Sequence, residues 1–186
     1  MPSNIASALV FIVNAVSSLY LLVLLLRFWL PWLRADFRNP LAQGILKLTS
    51  PVIIPVRRLV PSFGRLDTAT ILVAFVLQCL ALLLILLILG ASANFSTIAI
   101  SALAKLVLLS VNLFMFAIFI RIVLSWIAPG QYNPATAIIT TLTEPLLAPV
   151  RRIIPPLGGF DISPIFVIIA LGALTRLLMG FNRLGL

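Results

Sequence analysis

Few side chains in this 186-residue sequence could take part in chemistry. There is no histidine, and the carboxylates are limited to Asp36, Asp67, Glu144 and Asp161. Because metal sites and acid–base catalysis draw largely on His, Asp and Glu, we predict no catalytic residue, no metal site and no cofactor. We therefore expect a protein that is not an enzyme. The one cysteine, Cys79, falls inside an apolar run, where inert packing is the expected role.

Basic residues are more numerous and follow a repeated pattern. The segment Pro51–Asp67 recurs 94 residues later as Pro145–Asp161, without a gap. Extending the comparison back to Arg27 and Arg121 gives 16 identities in 41 aligned positions. A match of this length indicates an internal duplication. Each copy carries an adjacent arginine pair: Arg57-Arg58 in the first and Arg151-Arg152 in the second.

Each copy of the repeated segment is predicted to form a short, basic, amphipathic helix. Its apolar residues recur at i, i+1, i+4, i+7 and i+8, a spacing that places them on one helical face. They are Val52, Ile53, Val56, Leu59 and Val60 in the first copy, and Leu146, Leu147, Val150, Ile153 and Ile154 in the second. At about 100° per residue, Arg58 and Arg152 point away from this face, and Arg57 and Arg151 flank it.

Asparagine and proline residues suggest where these helices begin and break. Asn39-Pro40 and Asn133-Pro134 are typical of helix starts, with asparagine as the N-cap. The first is predicted to begin a short helix that ends near Thr49. Pro55 and Pro149 each remove a helical hydrogen bond, so each is predicted to begin a helical turn or to kink one. A helix that continues through these prolines is not expected.

The composition indicates a membrane protein. Hydrophobic residues make up 62% of the chain, charged residues 9%, and the mean hydropathy is +1.25, far from the usual mix of a soluble domain. The net charge of +9 therefore favours contact with anionic lipid headgroups over nucleic acid, because the basic residues lie beside long apolar runs. The residues predicted to bind lipid or a protein partner are Arg57, Arg58, Arg151 and Arg152.

Four apolar segments are predicted to span the membrane as helices, because each provides roughly the 20 apolar residues that a span needs. They begin near Met1, Ala69, Ile98 and Ser163 and end near Trp32, Gly90, Ile127 and Phe181. The predicted fold class is an all-α membrane protein in which four transmembrane helices form two tandem helical hairpins. The hairpins correspond to residues 1–94 and 95–186, and each has a basic amphipathic interfacial segment in its loop.

The distribution of lysine and arginine predicts the orientation. The first loop carries Arg34, Arg38, Lys47, Arg57, Arg58 and Arg65, the second carries Arg151 and Arg152, and the central connector carries none. By the positive-inside rule both basic loops are cytoplasmic and both termini are outside. Two spans in each repeat keep the same orientation, which relates the halves by an axis along the membrane normal.

Four charged residues recur at the predicted ends of the spans. Arg27 and Arg121 lie in the last turns of the helices that enter a loop, and Asp67 and Asp161 start the helices that leave it. Charges there are costly unless they are paired or wetted. Snorkelling arginines with N-capping aspartates are one interpretation. The other is a set of Arg–Asp ion pairs, within one half or across the halves, that locks the hairpins together.

Other polar residues lie deeper in the predicted spans. Asn14, Gln78, Ser110 and Asn112 are expected to form hydrogen bonds between helices. Lys105 is expected to snorkel toward the interface opposite Arg121.

The second copy resembles the YggT family. The resemblance lies in Asn133-Pro134 and in the run from Thr143-Glu144-Pro145 through Arg151-Arg152 and Gly158-Gly159 to Ser163-Pro164, and it covers nearly the whole chain as two tandem family repeats. The first copy departs from the motif: Ser50 replaces the glutamate and Arg65 replaces the second glycine. A role specific to the glutamate or the glycine pair would then belong to the second half.

The resemblance implies a small protein of the bacterial inner membrane without a defined enzymatic activity. Relatives, including plastid ones, have been linked to osmotic and potassium homeostasis, to cell or organelle division and to cytochrome assembly. Two function classes follow. One is a scaffold or assembly factor that grips anionic lipid and presents a surface to a second copy or to a membrane-protein partner. The other is an oligomeric channel or transport component for ions.

Overall fold

The computed structural model describes residues 4–62, 64, 66–127, 133–154, 161–182 and 184. Within these ranges the backbone forms six α-helices: α1 (Asn4–Trp32), α2 (Pro40–Leu59), α3 (Thr68–Leu89), α4 (Phe95–Ile127), α5 (Pro134–Ile153) and α6 (Ser163–Met179). The order of apolar helix, basic helix and apolar helix therefore occurs twice. The Gly158-Gly159 pair of the family motif lies outside the described residues.

Three of the six helices in the described ranges are long and apolar enough to cross a membrane. They are α1 with 29 residues, α3 with 22 and α4 with 33. At about 1.5 Å per residue they are roughly 43, 33 and 50 Å long, compared with about 30 Å for the hydrocarbon core. The fourth predicted span corresponds to α6, an apolar helix of 17 residues, at the short end of the range for a span.

The apolar helices pack against one another and against the basic helices. Within the first repeat α1 contacts α3, within the second α4 contacts α6, and α3 packs on α4 in the centre. The basic helices α2 and α5 contact both apolar helices of their own repeat. They also approach each other near their N-termini, where Asn39 Nδ2 donates to the carbonyl of Pro134 at 2.7 Å.

The predicted helix starts are confirmed. The side chain of Asn39 accepts a hydrogen bond from the backbone N–H of Leu41 at 2.9 Å. Asn133 forms a capping box with Thr136, in which each side chain accepts from the other residue's backbone N–H at 2.9 Å. Each asparagine supplies an acceptor for a backbone donor that has no partner inside the helix.

The prediction that the prolines interrupt the basic helices is wrong. Helix α2 continues past Thr49 and contains Pro51 and Pro55, and α5 contains Pro145 and Pro149. All four prolines are exposed. The carbonyls that lose a backbone donor therefore lie toward the outer side of these helices, where water or headgroups can satisfy them.

The apolar face of each basic helix is divided between protein and surroundings. Ile53 and Leu147, which occupy matching positions, are fully buried against the apolar helices. Leu59 and Ile153, also matched, are 84% and 81% exposed. The predicted face is therefore only partly packed against the chain itself. Its C-terminal end is available to lipid or to a partner.

Candidate functional site

Two polar clusters occupy matching positions in the two repeats. The first cluster consists of Arg27 on α1, Thr49, Ser50 and Arg57 on α2, and Asp67 immediately before α3. The second cluster consists of the residues 94 positions later: Arg121 on α4, Thr143, Glu144 and Arg151 on α5, and Asp161 two residues before α6. Each cluster therefore joins all three helices of its repeat.

An arginine–threonine hydrogen bond is the feature that the clusters share most closely. Arg27 Nη1 donates to Thr49 Oγ1 at 2.7 Å, and Arg121 Nη1 donates to Thr143 Oγ1 at 2.7 Å. Each threonine hydroxyl donates in turn to a carbonyl one turn earlier in its own helix, at 2.6 and 2.7 Å. Both threonines are fully buried. Sequence reasoning assigned neither threonine a role in binding an arginine.

In the first cluster one carboxylate forms ion pairs with two arginines. Asp67 Oδ2 accepts a hydrogen bond from Arg57 and lies 3.6 Å from Arg27 Nε. Its other oxygen accepts from the backbone N–H of Thr70 at 3.3 Å, which caps α3. The side chains of Arg27 and Asp67 are only 4% and 8% exposed. Capping and ion pairing, which the sequence left as alternatives, thus occur together at this residue.

In the second cluster two carboxylates alternate with two arginines. Glu144 Oε2 accepts from Arg121 Nη2 at 2.8 Å, and its Oε1 accepts from Arg151 Nη1 at 2.9 Å. Arg151 Nε also donates to Asp161 Oδ2 at 2.7 Å. Asp161 Oδ1 accepts from the backbone N–H of Ser163 at 3.0 Å near the start of α6. The four charges therefore form a continuous chain from α4 through α5 to α6.

The structure thus brings some of the candidate pairs together and not others. Arg27 meets Asp67 within the first half. Arg121 meets Glu144, and among the described residues no ion pair joins Arg121 to Asp161 or one cluster to the other. Sequence reasoning missed Glu144 as a partner. Its position seven residues before Arg151, two turns along one helical face, was the available signal.

The acids of the second cluster remain ionised at neutral pH. Partial burial raises the pKa of Glu144, but hydrogen bonds and charges from Arg121 and Arg151 outweigh it and hold this pKa below its ordinary value of 4.5. Burial acts in the same direction on Asp161. Hydrogen bonds from Ser163 and the ion pair with Arg151 outweigh it and hold the pKa of Asp161 below 3.8.

The four arginines of the repeated motif fall into two groups. Arg57 and Arg151 are directed into the clusters. Arg58 and Arg152 are exposed, and no hydrogen bond or ion pair to either is found in the part of the chain that the structure describes. Each basic helix therefore uses one arginine to hold its own repeat and leaves the next one facing outward.

A second polar region lies between the long helices. The ammonium group of Lys105 donates to Asn14 Oδ1 on α1 at 2.6 Å, and its snorkelling toward the interface stays a prediction. Ser110 accepts from Trp29 Nε1 at 3.4 Å. Interhelical bonding is therefore confirmed for Asn14 and Ser110. Gln78 is fully buried with neither polar atom bonded.

Asn112 was also expected to form a hydrogen bond between helices. Asn112 is exposed, with no side-chain hydrogen bond within the described ranges. The described residues also contain no group of three His, Cys, Asp or Glu side chains that could hold a metal ion.

Comparisons with known proteins agree on one family. The CCB3/YggT family model matches twice, over residues 6–88 and 100–182. An uncharacterized protein of Pseudomonas aeruginosa is 40% identical over 175 residues, which cover 93% of this chain and 89% of the relative. The uncharacterized protein YggT of Escherichia coli is 34% identical over 166 residues, covering 89% and 86%.

A shorter similarity, 39% over 67 residues, is to YlmG homolog protein 2, chloroplastic, of Arabidopsis thaliana, covering 34% of this chain and 25% of the relative. No solved structure matches the chain.

Proposed function

This chain belongs to the CCB3/YggT family, and on that basis we propose that it is a non-enzymatic membrane scaffold or assembly factor. Its two basic helices lie in the membrane interface, bind anionic headgroups and present a surface to a second copy or to another membrane protein. The physiological setting proposed is osmotic or ion homeostasis, or cell division, in the bacterial inner membrane.

The observation that carries this proposal is the way in which α2 and α5 are held. Each is fixed to the apolar helices by a buried threonine, an arginine and a carboxylate. Each still exposes a basic residue and a large apolar residue near its C-terminal end: Arg58 with Leu59, and Arg152 with Ile153. Helices that expose basic and apolar side chains together suit the boundary between headgroups and acyl chains.

The membrane arrangement proposed has four spans in two tandem hairpins, with α6 as the fourth span. The contacts of α1 with α3 and of α4 with α6 support this arrangement. So do the two family matches, which fall within residues 1–94 and 95–186. The basic loops are proposed to be cytoplasmic and both termini outside, because lysine and arginine concentrate in the loops.

A liposome experiment tests the function. Purified protein is reconstituted in vesicles that contain phosphatidylglycerol, ion flux is recorded, and retained lipid is measured by native mass spectrometry. We expect retention of anionic lipid without selective flux. The Arg58→Gln, Arg152→Gln double variant should retain less anionic lipid and keep its helix content, because neither side chain has a partner in the described structure. Selective ion flux through the wild-type protein would contradict the scaffold.

A second candidate function, ion transport by an oligomer, is favoured by one observation. Lys105 is half-buried against Asn14 between α1 and α4, and the amide of Gln78 on α3 is buried without a hydrogen bond in the described structure. Polar groups in a span often mark a path for ions or protons. If flux is recorded, Lys105→Met should change its rate or selectivity, whereas the exposed Arg58→Gln change should leave selectivity unaltered.

A further inference from the structure

The two clusters differ in net charge because of one substitution. Glu144 of the second cluster is replaced by Ser50 in the first. The serine hydroxyl accepts from Arg27 Nη1 at 3.2 Å, where Glu144 accepts from Arg121 at 2.8 Å. The first cluster thus sets two arginines against one carboxylate. The second sets two arginines against two.

The missing carboxylate leaves donors of the first cluster without acceptors. Arg151 reaches two carboxylates, whereas among the described residues Arg57 bonds only to Asp67, through its Nη2 atom. The Arg57 side chain is 43% exposed, compared with 26% for Arg151. The Nε atom of Arg27 is buried without a hydrogen-bond partner, because Asp67 lies 3.6 Å away. Arg27 is too buried for a group from outside the chain to reach it, so an additional anion would accept from the exposed guanidinium of Arg57.

The surroundings of the first cluster favour an anion from outside the chain. Lys47, one turn before Ser50 on α2, is exposed, and its matching position in the second repeat is Thr141. Arg58, next to Arg57, is exposed and has no partner in the described structure. A guanidinium group binds phosphate oxygens with two parallel hydrogen bonds. The chemistry that fits is a phosphate at the level of the lipid headgroups.

We propose that the first cluster binds the phosphate of one anionic phospholipid, which takes the place that Glu144 fills in the second cluster. Arg57 contacts this phosphate directly, and Arg58 and Lys47 lie close enough on α2 to attract it. The second cluster, which is already neutral, binds no such group. This inference rests on the proposed position of α2 in the membrane interface, and it assigns the tighter lipid site to one repeat.

The test adds a negative charge at position 50. Ser50→Glu supplies the carboxylate from the chain itself, and Ser50→Gln has the same size without the charge. In native mass spectrometry and equilibrium titration with phosphatidylglycerol, we expect Ser50→Glu to weaken the affinity of the tightest site about tenfold or more. The Ser50→Gln control should bind within about twofold of the wild type. Equal affinity in Ser50→Glu and the wild type overturns the proposal.

A matched pair of arginine variants keeps the test decisive if Ser50→Glu does not fold. Arg57→Gln should weaken phosphatidylglycerol binding, whereas Arg151→Gln should leave it unchanged and lower thermal stability. Equal losses of lipid affinity in both variants would overturn the assignment to one repeat.

Further titrations separate the source of the phosphate and the underlying function. Inorganic phosphate that competes with phosphatidylglycerol at millimolar concentration would overturn the lipid assignment in favour of a free anion. Phosphatidylcholine should not compete. If the wild type shows no preference for anionic lipid over phosphatidylcholine, the proposed function fails. If the wild type shows that preference and Ser50→Glu keeps the wild-type affinity of the tightest site, only this inference fails.

Discussion

Replacing Asp67 with asparagine removes a charge from the buried cluster while keeping the cap of α3. Asparagine is as good an N-cap as aspartate, so the hydrogen bond from the backbone N–H of Thr70 can remain. Arg27, which is 4% exposed, loses its only ion-pair partner in the described structure. It retains its hydrogen bonds to Thr49 and Ser50.

The expected loss follows from the burial of the two partners. Breaking a buried ion pair costs about 3 to 5 kcal/mol because one charge is left uncompensated. Because Arg27 keeps its other hydrogen bonds, the free energy of unfolding that Asp67→Asn should lose lies at the lower end of this range, about 3 kcal/mol. The contribution from Arg57, which is 43% exposed, adds little because solvent screens it.

The matched control is Asp161→Asn in the second cluster. The Asp161 side chain is 34% exposed, and its partner Arg151 keeps Glu144 as a second carboxylate. The expected loss is therefore about 1 kcal/mol or less. Both variants are unfolded by titration with denaturing detergent from the same micelles, and the free energies of unfolding are compared. Losses of equal size in the two variants would refute the argument that burial sets the strength of these pairs.

Three further predictions follow from the clusters and the loops. In a double-mutant cycle, Arg121→Gln and Glu144→Gln should show a coupling of about 0.5 kcal/mol or more, whereas strictly additive losses would show that the two residues do not stabilise each other. Because the pKa of Glu144 is lower in the folded protein than its ordinary value of 4.5, the ionised side chain stabilises the folded state. This stabilisation is fully present above pH 4.5 and is lost as the pH falls through the folded-state pKa. Acid titration of the unfolding midpoint should therefore be flatter in Glu144→Gln. In a cysteine-free background, an impermeant thiol reagent added to intact cells should label a cysteine at Ser96 but not at Gln43 or Ala135. Labelling at Gln43 and Ala135 but not at Ser96 would show that the protein has the opposite orientation.

Local rules predicted the apolar helices and the helix starts, but neither the length of the basic helices nor the pairing of charges. The long apolar helices, the amphipathic helices and the caps at Asn39 and Asn133 depend on composition and on neighbours a few residues away. The continuation of α2 through Pro51 and Pro55 depends on which side of the helix is exposed, and that is decided by packing. The partner of Arg121 likewise depends on how α5 lies against α4, so helical spacing could relate Glu144 to Arg151 but not to Arg121.

The different carboxylates of the two clusters have a consequence for the order in which the chain is synthesised. Arg121 finds Glu144 only 23 residues later, on α5, so its charge can be balanced before any of α6 leaves the ribosome. On α2, Arg27 has only uncharged acceptors in the described structure, the carbonyl of Leu46 and the hydroxyls of Thr49 and Ser50, until Asp67, immediately before α3, is made. A nascent chain halted after its first basic helix would therefore carry an unbalanced arginine in the membrane. A chain halted after its second basic helix would already have paired Arg121 with Glu144. The first repeat therefore needs the start of its second apolar helix to balance the charge of its arginine, and the second repeat does not.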